Sequence, residues 1–280
     1  VPVALVCPPE SNIISPAVKV FRYPVFTLPF TGRISRKILF EQIDRFEPTV
    51  LHCLCESQGA VVLYLAQRLQ LPYIVTVNSF CGRRRWFDKV PLLLEHSDRI
   101  ITPAGSIRKE LCERFPSLAE RTVQIDAGTF TAKTAVCFSR SSRLPSLVIA
   151  HPADRIEDFV KLVSALKHLA IERYDFTIVL TGGGRAEEQL LMLLAREELH
   201  RRVVRVSKRH HWRLALSAGD IFIRFRPQNC FDPMLLEAMS AGVAVAACKG
   251  GVDDLLVDGV TCTVFNPDDE LDIYGRVKQL

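Results

Sequence analysis

The sequence lacks the features of several protein classes. None of its apolar segments, within 280 residues, reaches the roughly 18–20 residues that a bilayer-spanning helix needs. No basic region precedes the first apolar run, as a secretory signal would require, and low-complexity tracts and short-period repeats are missing. With 48% hydrophobic and 24% charged residues, the composition is that of a globular protein with room for two domains of about 140 residues each.

Nine cysteines are scattered over the chain without the spacing of a metal site or a disulfide framework. Cys7, Cys53, Cys137 and Cys248 lie in apolar runs, which is typical of reduced, buried thiols in a cytosolic protein. Cys55 is close to Cys53, but no second pair complements them at zinc-ligand spacing. The net charge of +5 is compatible with anionic substrates or with a membrane surface.

Strand patterns alternate with helix patterns along the whole chain, which predicts parallel pairing in doubly wound α/β sheets. In the first half, strands are predicted at 3–7, 18–23, 49–54, 73–77, 99–102 and 123–125, and helices at 34–46, 59–69, within 85–96 and at 106–115. In the second half, strands are predicted at 147–150, 176–181, 203–206, 220–225, 243–248 and 262–265, and helices at 157–170, 185–199, 211–217, 233–241 and from 269. The polar stretch 131–143 is the best linker candidate, and it predicts domains at 1–140 and 141–280.

The stretch 222–251 concentrates the candidate binding residues. After a strand and a polar loop, Asp232 and Pro233 predict a helix start, with an N-cap followed by proline at the first helical position. Such a helix points its N-terminal amides out of the carboxyl edge of the sheet, where they suit a phosphate or a pyrophosphate. Glu237 lies about one turn further in, and it can accept hydrogen bonds from a sugar hydroxyl.

The run from Asn229 to Gly251, with Asp-Gly-x-Thr at 258–261, resembles the donor-site half of the retaining family 4 glycosyltransferases. Phrases at 48–52, 71–77 and 97–103 resemble the acceptor domain of the same family. The resemblance implies the GT-B fold, in which two Rossmann-like domains face each other across a cleft. It also implies transfer of a sugar, with retention, from a UDP- or GDP-linked donor to a glycan, a lipid-linked or a small-molecule acceptor, without a metal or another cofactor.

In that family two glutamates, separated by seven residues, flank the start of the helix. The second holds the nucleotide ribose and corresponds to Glu237, whereas the first contacts the donor sugar and corresponds to Asn229. The amides between them face the diphosphate. This implies donor contacts for Cys230, Phe231, Asp232, Met234 and Leu235.

Glycine-rich turns close two further predicted strands, at 182–184 and 250–251. Ligands of α/β sheets bind at this edge, and the resemblance places Gly182 and Gly184 near the donor. Gly250 and Gly251 follow a buried strand in the same way. A flexible or tight turn explains all these glycines equally well, so both interpretations stay open.

Three positions exchange a charged or titratable group of the family for a weaker one. Asn229 replaces the glutamate, Asn78 replaces a histidine that faces the donor sugar, and His151 stands near the place of an arginine that binds the pyrophosphate. Arg155 is the only cation near the place of a second pyrophosphate-binding group, a lysine, so we expect it to stabilise the leaving diphosphate. Losing one well-aimed contact costs on the order of 100–1000-fold in turnover. A diverged enzyme and a catalytically silent relative, which binds a nucleotide sugar or serves in an assembly, therefore both stay open, as does an epimerase or hydrolase.

Two basic segments bear on partners and location. The segment 83–87 mixes arginines with aromatic residues in the half of the chain where the resembled enzymes touch membrane-embedded or anionic acceptors. The resemblance thus implies peripheral membrane contact there, and a solvated loop is the alternative. The basic residues at 201–213 are interleaved with valines like a strand with charged ends, and no nucleic-acid module surrounds them. We expect no nucleic-acid partner and a cytoplasmic protein, with a peripheral place at the inner membrane face as the open alternative. The family usually has a long first helix, for which little room remains between Pro9 and Val18, and it usually continues beyond the last predicted helix with one that crosses back to the first domain. We therefore also expect a compact or shortened copy.

Overall fold

The computed structural model describes residues 2–7, 18–23, 29–54, 56–79, 91–129, 144–151, 153–206, 215–216 and 219–280. The chain divides into two compact units, Val1–Pro103 with Ile107–Ile125 and Ala104–Ser106 with Asp126–Leu280. Several predicted features lie outside the described residues, among them the linker at 131–143, the basic segment 83–87, and Cys55 and Cys137. The predicted domain boundary near 140 therefore stays a prediction.

The first half of the chain forms short parallel strands joined by helices. Its strands are β1 (Ala4–Cys7), β2 (Lys19–Arg22), β3 (Leu51–Cys53), β4 (Tyr73–Thr76), β5 (Arg99–Thr102) and β6 (Thr122–Gln124). Its helices are α1 (Pro29–Asp44), α2 (Gly59–Leu69), α3 (Leu92–Glu95) and α4 (Gly105–Arg114). A four-stranded sheet has the order β3-β4-β5-β6, and β1 pairs with β2; all these pairs are parallel, as predicted.

Helix α1 begins five residues before the predicted start at residue 34. Its first helical residue is Pro29, and a proline at this position loses no hydrogen bond because the first N–H groups of a helix have no intrahelical acceptor. The apolar spacing on which the prediction was based begins only further along. Leu39 and Ile43 of α1 pack with Leu65 of α2 against β2, through Phe21 and the following Tyr23.

The second half contains a six-stranded sheet. Its strands are β7 (Ser146–His151), β8 (Thr177–Gly182), β9 (Val203–Val206), β10 (Ile221–Arg224), β11 (Ala244–Cys248) and β12 (Thr263–Phe265). Its helices are α5 (Glu157–Ile171), α6 (Glu187–Arg196), α7 (Pro233–Ser240) and α8 (Glu270–Lys278). The strand order is β12-β11-β10-β7-β8-β9, and every pair is parallel.

Apolar residues cover both faces of this sheet. Along β7, Leu147 and Ile149 join one core cluster with residues of α5, α6 and α8, whereas Val148 and Ala150 join a second cluster with residues of α7. Successive side chains of a strand point to opposite faces, so the two clusters lie on opposite sides of the sheet. This arrangement confirms the doubly wound α/β fold.

The order in which successive strands are added to the sheet reverses between β7 and β10. Strands β8 and β9 are added on one side of β7, and after the reversal β10, β11 and β12 are added on the other side. Ligands of open α/β sheets bind outside the carboxyl ends of the strands at such a switch point. His151 ends β7 and Arg224 ends β10, so these two residues mark the edge where a ligand site is expected.

Besides α1, two more predicted helices differ in extent from the structure. Helix α6 ends at Arg196 rather than at 199, since Glu198 has a left-handed φ of 60° that breaks the helical path. Of the helix predicted at 211–217, only residues 215–216 are described, and they are helical. Among the helices in the described ranges, none is both long and apolar enough to cross a membrane.

Candidate functional site

Residues from four separate segments meet at one edge of the second sheet. His151 and Gly182 are the paired last residues of β7 and β8. The stretch Asn229–Leu235 follows β10, while Gly250 and Gly251 follow β11. Because β11, β10, β7 and β8 are consecutive in the sheet, their carboxyl ends bring the predicted donor residues to one place.

Helix α7 is capped by the residue that the sequence predicts. Asp232 has extended backbone, and its Oδ1 accepts hydrogen bonds from the N–H groups of Met234 (2.9 Å) and Leu235 (3.4 Å). These two N–H groups, which the resemblance implies face a diphosphate, therefore already have an acceptor within the chain. The carboxylate of Asp232 occupies both N–H groups. Its negative charge also lies at the N-terminal end of the helix, where the helix dipole would otherwise attract an anionic ligand.

Glu237 lies on the buried side of α7, only 9% exposed. It stands between Leu235 and Ala238, which are buried in the core cluster beneath the helix. A carboxylate taken out of water is costly unless hydrogen bonds or an opposite charge compensate it. The burial rules out a solvated helix glutamate and is consistent with an anchor for ligand hydroxyls.

The loop between β10 and α7 is partly open to solvent. Asn229 and Cys230 are exposed, and Phe231 is half-buried. The loop is fastened to the one after β11, because Gln228 forms a parallel bridge with Gly251 and its carbonyl oxygen accepts a 2.7 Å hydrogen bond from the N–H of Val252.

Close packing accounts for two of the predicted glycines. A Cβ on Gly251, where φ is +69°, would lie 2.0 Å from the carbonyl oxygen of Gln228. A Cβ on Gly184 would lie 2.3 Å from the carbonyl carbon and oxygen of Ala153. Both distances are far inside van der Waals contact, so these glycines are needed to bring neighbouring loops together at the site.

Two arginines lie around the start of α5. Arg155 is exposed, and its Nε stands 3.7 Å from a carboxylate oxygen of Glu157. Arg226, which the sequence analysis did not single out, lies within ion-pair distance of Asp158 (3.4 Å) and Asp268 (3.7 Å). Arg155 is therefore not the sole cation near this helix start, and both arginines have carboxylate neighbours that reduce their charge toward a ligand.

A third arginine, Arg224, is buried at the end of β10 and was also missed. Its guanidinium donates hydrogen bonds to backbone carbonyls of the residues that end and follow β11. Burial raises the pKa of the neighbouring Cys248 thiol to about 11, although the positive charge of Arg224 acts in the opposite direction. Cys248 is therefore a neutral thiol at physiological pH. It is buried, as predicted, like Cys7 and Cys53.

Asn78 follows β4 in the first unit. Its Nδ2 donates a 2.9 Å hydrogen bond to the carbonyl oxygen of Leu54, which follows β3. His52 lies on β3, and its Nε2 stands 2.8 Å from Oγ1 of Thr76 on β4. Burial lowers the pKa of His52, which favours the neutral ring. In the part of the chain that the structure describes, no three potential ligands come together as a metal site.

Solved structures with a similar architecture include several glycosyltransferases. HepE of Anabaena, solved in complex with UDP and glucose, has a TM-score of 0.75 at 16% identity, over 94% of this chain and 76% of its own. Sucrose-phosphate synthase of Thermosynechococcus elongatus has a TM-score of 0.74 at 17% identity, over 99% of this chain and 79% of its own. A glycosyltransferase of Rickettsia africae has a TM-score of 0.72 at 15% identity, over 94% and 74%. The fold is thus GT-B, with two Rossmann-like halves.

Family models match the sequence itself on both sides of the predicted linker. The model described as Glycosyltransferase Family 4 matches residues 1–131, and the model described as Glycosyl transferases group 1 matches residues 147–280. The chain belongs to the family 4 glycosyltransferases of the GT-B fold. The sulfoquinovosyl transferase SQD2 of Arabidopsis thaliana is 23% identical over 292 aligned residues, which cover 90% of this chain and 53% of that protein. The chain thus spans about half the length of this curated relative.

Proposed function

We propose that this chain transfers a sugar from a UDP- or GDP-linked donor to a glycan, a lipid-linked or a small-molecule acceptor, with retention at the anomeric carbon. Membership of family 4 supports transfer from an activated sugar, and the complex of HepE with UDP and glucose supports a nucleotide donor. The observation that carries the proposal is Glu237, a buried carboxylate on the helix that follows the switch-point strand.

The proposed donor lies along the carboxyl edge of the second sheet. The carboxylate of Glu237 accepts hydrogen bonds from the ribose hydroxyls, and Asn229 in the exposed loop contacts the sugar. The loops at 182–184 and 250–251 line the diphosphate. No protein nucleophile is needed, because the acceptor hydroxyl bonds to the anomeric carbon as the bond to the diphosphate oxygen breaks, and its proton passes to the leaving diphosphate.

The site has few groups that could stabilise the negative charge of the leaving diphosphate. Arg155 is the exposed cation, and it shares its charge with Glu157. The carboxylate of Asp232 occupies two N–H groups at the start of α7. We therefore expect slow turnover with common UDP- and GDP-sugars compared with an enzyme whose helix amides are open.

A second candidate function rests on the same Asp232 contact. If a diphosphate cannot displace this carboxylate in the reaction geometry, the chain is a catalytically silent relative that binds a nucleotide sugar or serves in an assembly. Asn229 fits this candidate too, because an amide cannot supply the negative charge of the glutamate that the family has at this place.

Replacing Asn229 distinguishes the two candidates. Release of UDP or GDP is measured with a panel of sugar donors and acceptors for the unchanged chain, Asn229→Glu and the uncharged length control Asn229→Gln. If the unchanged chain turns over and Asn229→Glu does not, the result supports an enzyme whose donor needs the amide of Asn229. A gain of 100-fold or more in Asn229→Glu alone, the size expected for one well-aimed contact, supports the silent relative. Proton NMR of the first product sugar tests retention, and an inverted anomer would contradict it.

A further inference from the structure

Arg224 is a buried cation surrounded by backbone carbonyls. The residue is 3% exposed. Its Nη1 donates to the carbonyl oxygen of Cys248 (3.2 Å), and its Nη2 donates to those of Gly250 (3.3 Å) and Val252 (3.1 Å). None of the ion pairs within the described ranges involves Arg224. Keeping a charge out of water is costly by several kcal/mol without such compensation, so these three carbonyls are what holds the guanidinium in place.

The three hydrogen bonds also fix the direction of the loop's N–H groups. In a trans peptide unit the C=O and the following N–H point in opposite directions, and the described residues contain no cis peptide bond. Because the carbonyls of Gly250 and Val252 face the guanidinium, the N–H groups of Gly251 and Asp253 point away from it. The two N–H groups are separated by that of Val252, and each can donate a charge-assisted hydrogen bond to an oxyanion such as a phosphate oxygen.

The remaining bonds of the loop leave these two N–H groups available. The N–H of Gly250 donates to Oδ2 of Asp253 (2.9 Å), and the N–H of Val252 donates to the carbonyl oxygen of Gln228 (2.7 Å). Across the described part of the chain, no acceptor is found for the N–H of Gly251 or of Asp253. The N–H groups of Gly250 and Val252 are thus bonded within the loop, whereas those of Gly251 and Asp253 point away from the guanidinium and have no acceptor among the described residues.

We propose that Arg224 is a positioning residue for the donor diphosphate. The guanidinium holds the peptide units 250–251 and 252–253 in the orientation that offers the N–H groups of Gly251 and Asp253 to the diphosphate oxygens. Since Asp232 occupies two N–H groups of α7, this loop supplies the open backbone donors of the site. Arg224 itself does not touch the ligand. The inference rests on the proposed function, because it needs a nucleoside diphosphate at this edge of the sheet.

Arg224→Met tests this role by leaving the three carbonyls without a donor, so that the peptide units turn. We expect the affinity for UDP to fall about tenfold, which corresponds to about 1.4 kcal/mol. Uridine, which has no phosphate, should bind as before. Arg224→Lys keeps the charge but has no planar guanidinium to reach three carbonyls. It should therefore lose most of the preference for UDP over uridine as well. GDP and guanosine replace UDP and uridine if the site prefers guanine.

Arg202→Met is the matched control. Arg202 is half-buried, and its Nη1 donates to Oδ1 of Asp175 (3.2 Å) and to the carbonyl oxygen of Phe176 (3.5 Å). It precedes β9 and lies at the opposite, amino edge of the sheet. Its loss should lower the melting temperature without changing the ratio of UDP to uridine affinity, because a purely structural loss acts on both ligands alike.

Calorimetry at a temperature well below every melting point then decides between the outcomes. If the ratio of UDP to uridine affinity is unchanged in both Arg224 variants, or falls equally in Arg202→Met, the inference is overturned and the proposed function still stands. If the unchanged chain binds neither UDP nor GDP, the proposed function fails and the inference fails with it. Circular dichroism verifies folding, and Arg224→Lys carries the test if Arg224→Met does not fold.

Discussion

The carboxylate of Asp232 stands where the proposed function needs an anion of the donor. It accepts hydrogen bonds from the N–H groups of Met234 and Leu235 at the start of α7. A diphosphate that reaches these N–H groups must displace the carboxylate and stay beside its charge. We therefore expect Asp232→Asn to tighten the binding of nucleoside diphosphates.

The size of the effect follows from the charge and the cap. Two unit charges about 5 Å apart repel by about 3 kcal/mol at an effective dielectric constant of about 20. Asp232 is half-buried, so solvent and salt reduce this to about 1–1.5 kcal/mol, roughly a tenfold change in affinity. Asparagine caps helices about as well as aspartate, and the lost charge–dipole attraction is worth only about 0.3–1 kcal/mol. The fold should thus survive the change.

Helix α8 provides the matched control for this prediction. Asp269 caps it in the same way, since its Oδ1 accepts hydrogen bonds from the N–H groups of Leu271 (2.9 Å) and Asp272 (3.3 Å). Calorimetry with UDP and GDP should show a roughly tenfold gain for Asp232→Asn, which shrinks at high salt, and no change for Asp269→Asn. Equal or weaker binding by Asp232→Asn would mean that its carboxylate does not oppose the donor.

Two further predictions concern stability. Glu56 is exposed at the surface, but partial desolvation, reinforced by the Glu110 carboxylate, raises its pKa above the ordinary value, so a small, solvent-screened contribution to stability is present at low pH and is lost as pH rises through the folded pKa. Urea unfolding should show that Glu56→Gln stabilises the first unit at pH 7 but not at pH 4; equal effects at both pH values would contradict this. Gly184→Ala should destabilise the second unit by about 1–3 kcal/mol, because its Cβ meets the backbone of Ala153. Gly275→Ala, on α8 with nothing within 4 Å of its Cβ, should stabilise it by about 0.5–1 kcal/mol, and thermal melts that fail to separate these variants would contradict the packing argument.

Much of the fold could be predicted because parallel strands buried on both faces leave continuous apolar runs. The helix Gly59–Leu69 and the strands Arg99–Thr102 and Val203–Val206 have the bounds that their sequence patterns predict. The end of α6 was missed because Glu198 adopts a left-handed φ of 60°. Such a conformation is uncommon outside glycine, asparagine and aspartate, so the sequence offers no signal for it.

The candidate site could be predicted in position but not in its hydrogen bonding. Asp232 before Pro233 indicates an N-cap, and the start of a helix indicates N–H groups that could bind a ligand. The sequence does not show that the carboxylate of the cap accepts hydrogen bonds from those same N–H groups. Arg224 interrupts an apolar strand and resembles a charge at a strand end. Its acceptors lie on 248–252, more than twenty residues further along the chain, and only the pairing of β10 with β11 brings them together.

Calorimetric binding of UDP, GDP and their common sugar conjugates tests whether the second unit contains a nucleotide-sugar site anchored by Glu237. The control is Glu172→Ala, which removes a half-exposed glutamate that hydrogen-bonds Lys278 (2.6 Å) at the far end of α5. We predict that one nucleotide binds, that Glu237→Ala weakens it at least tenfold, and that Glu172→Ala leaves it unchanged. Absence of binding by every nucleotide, or equal affinity in Glu237→Ala, would contradict the proposed donor site.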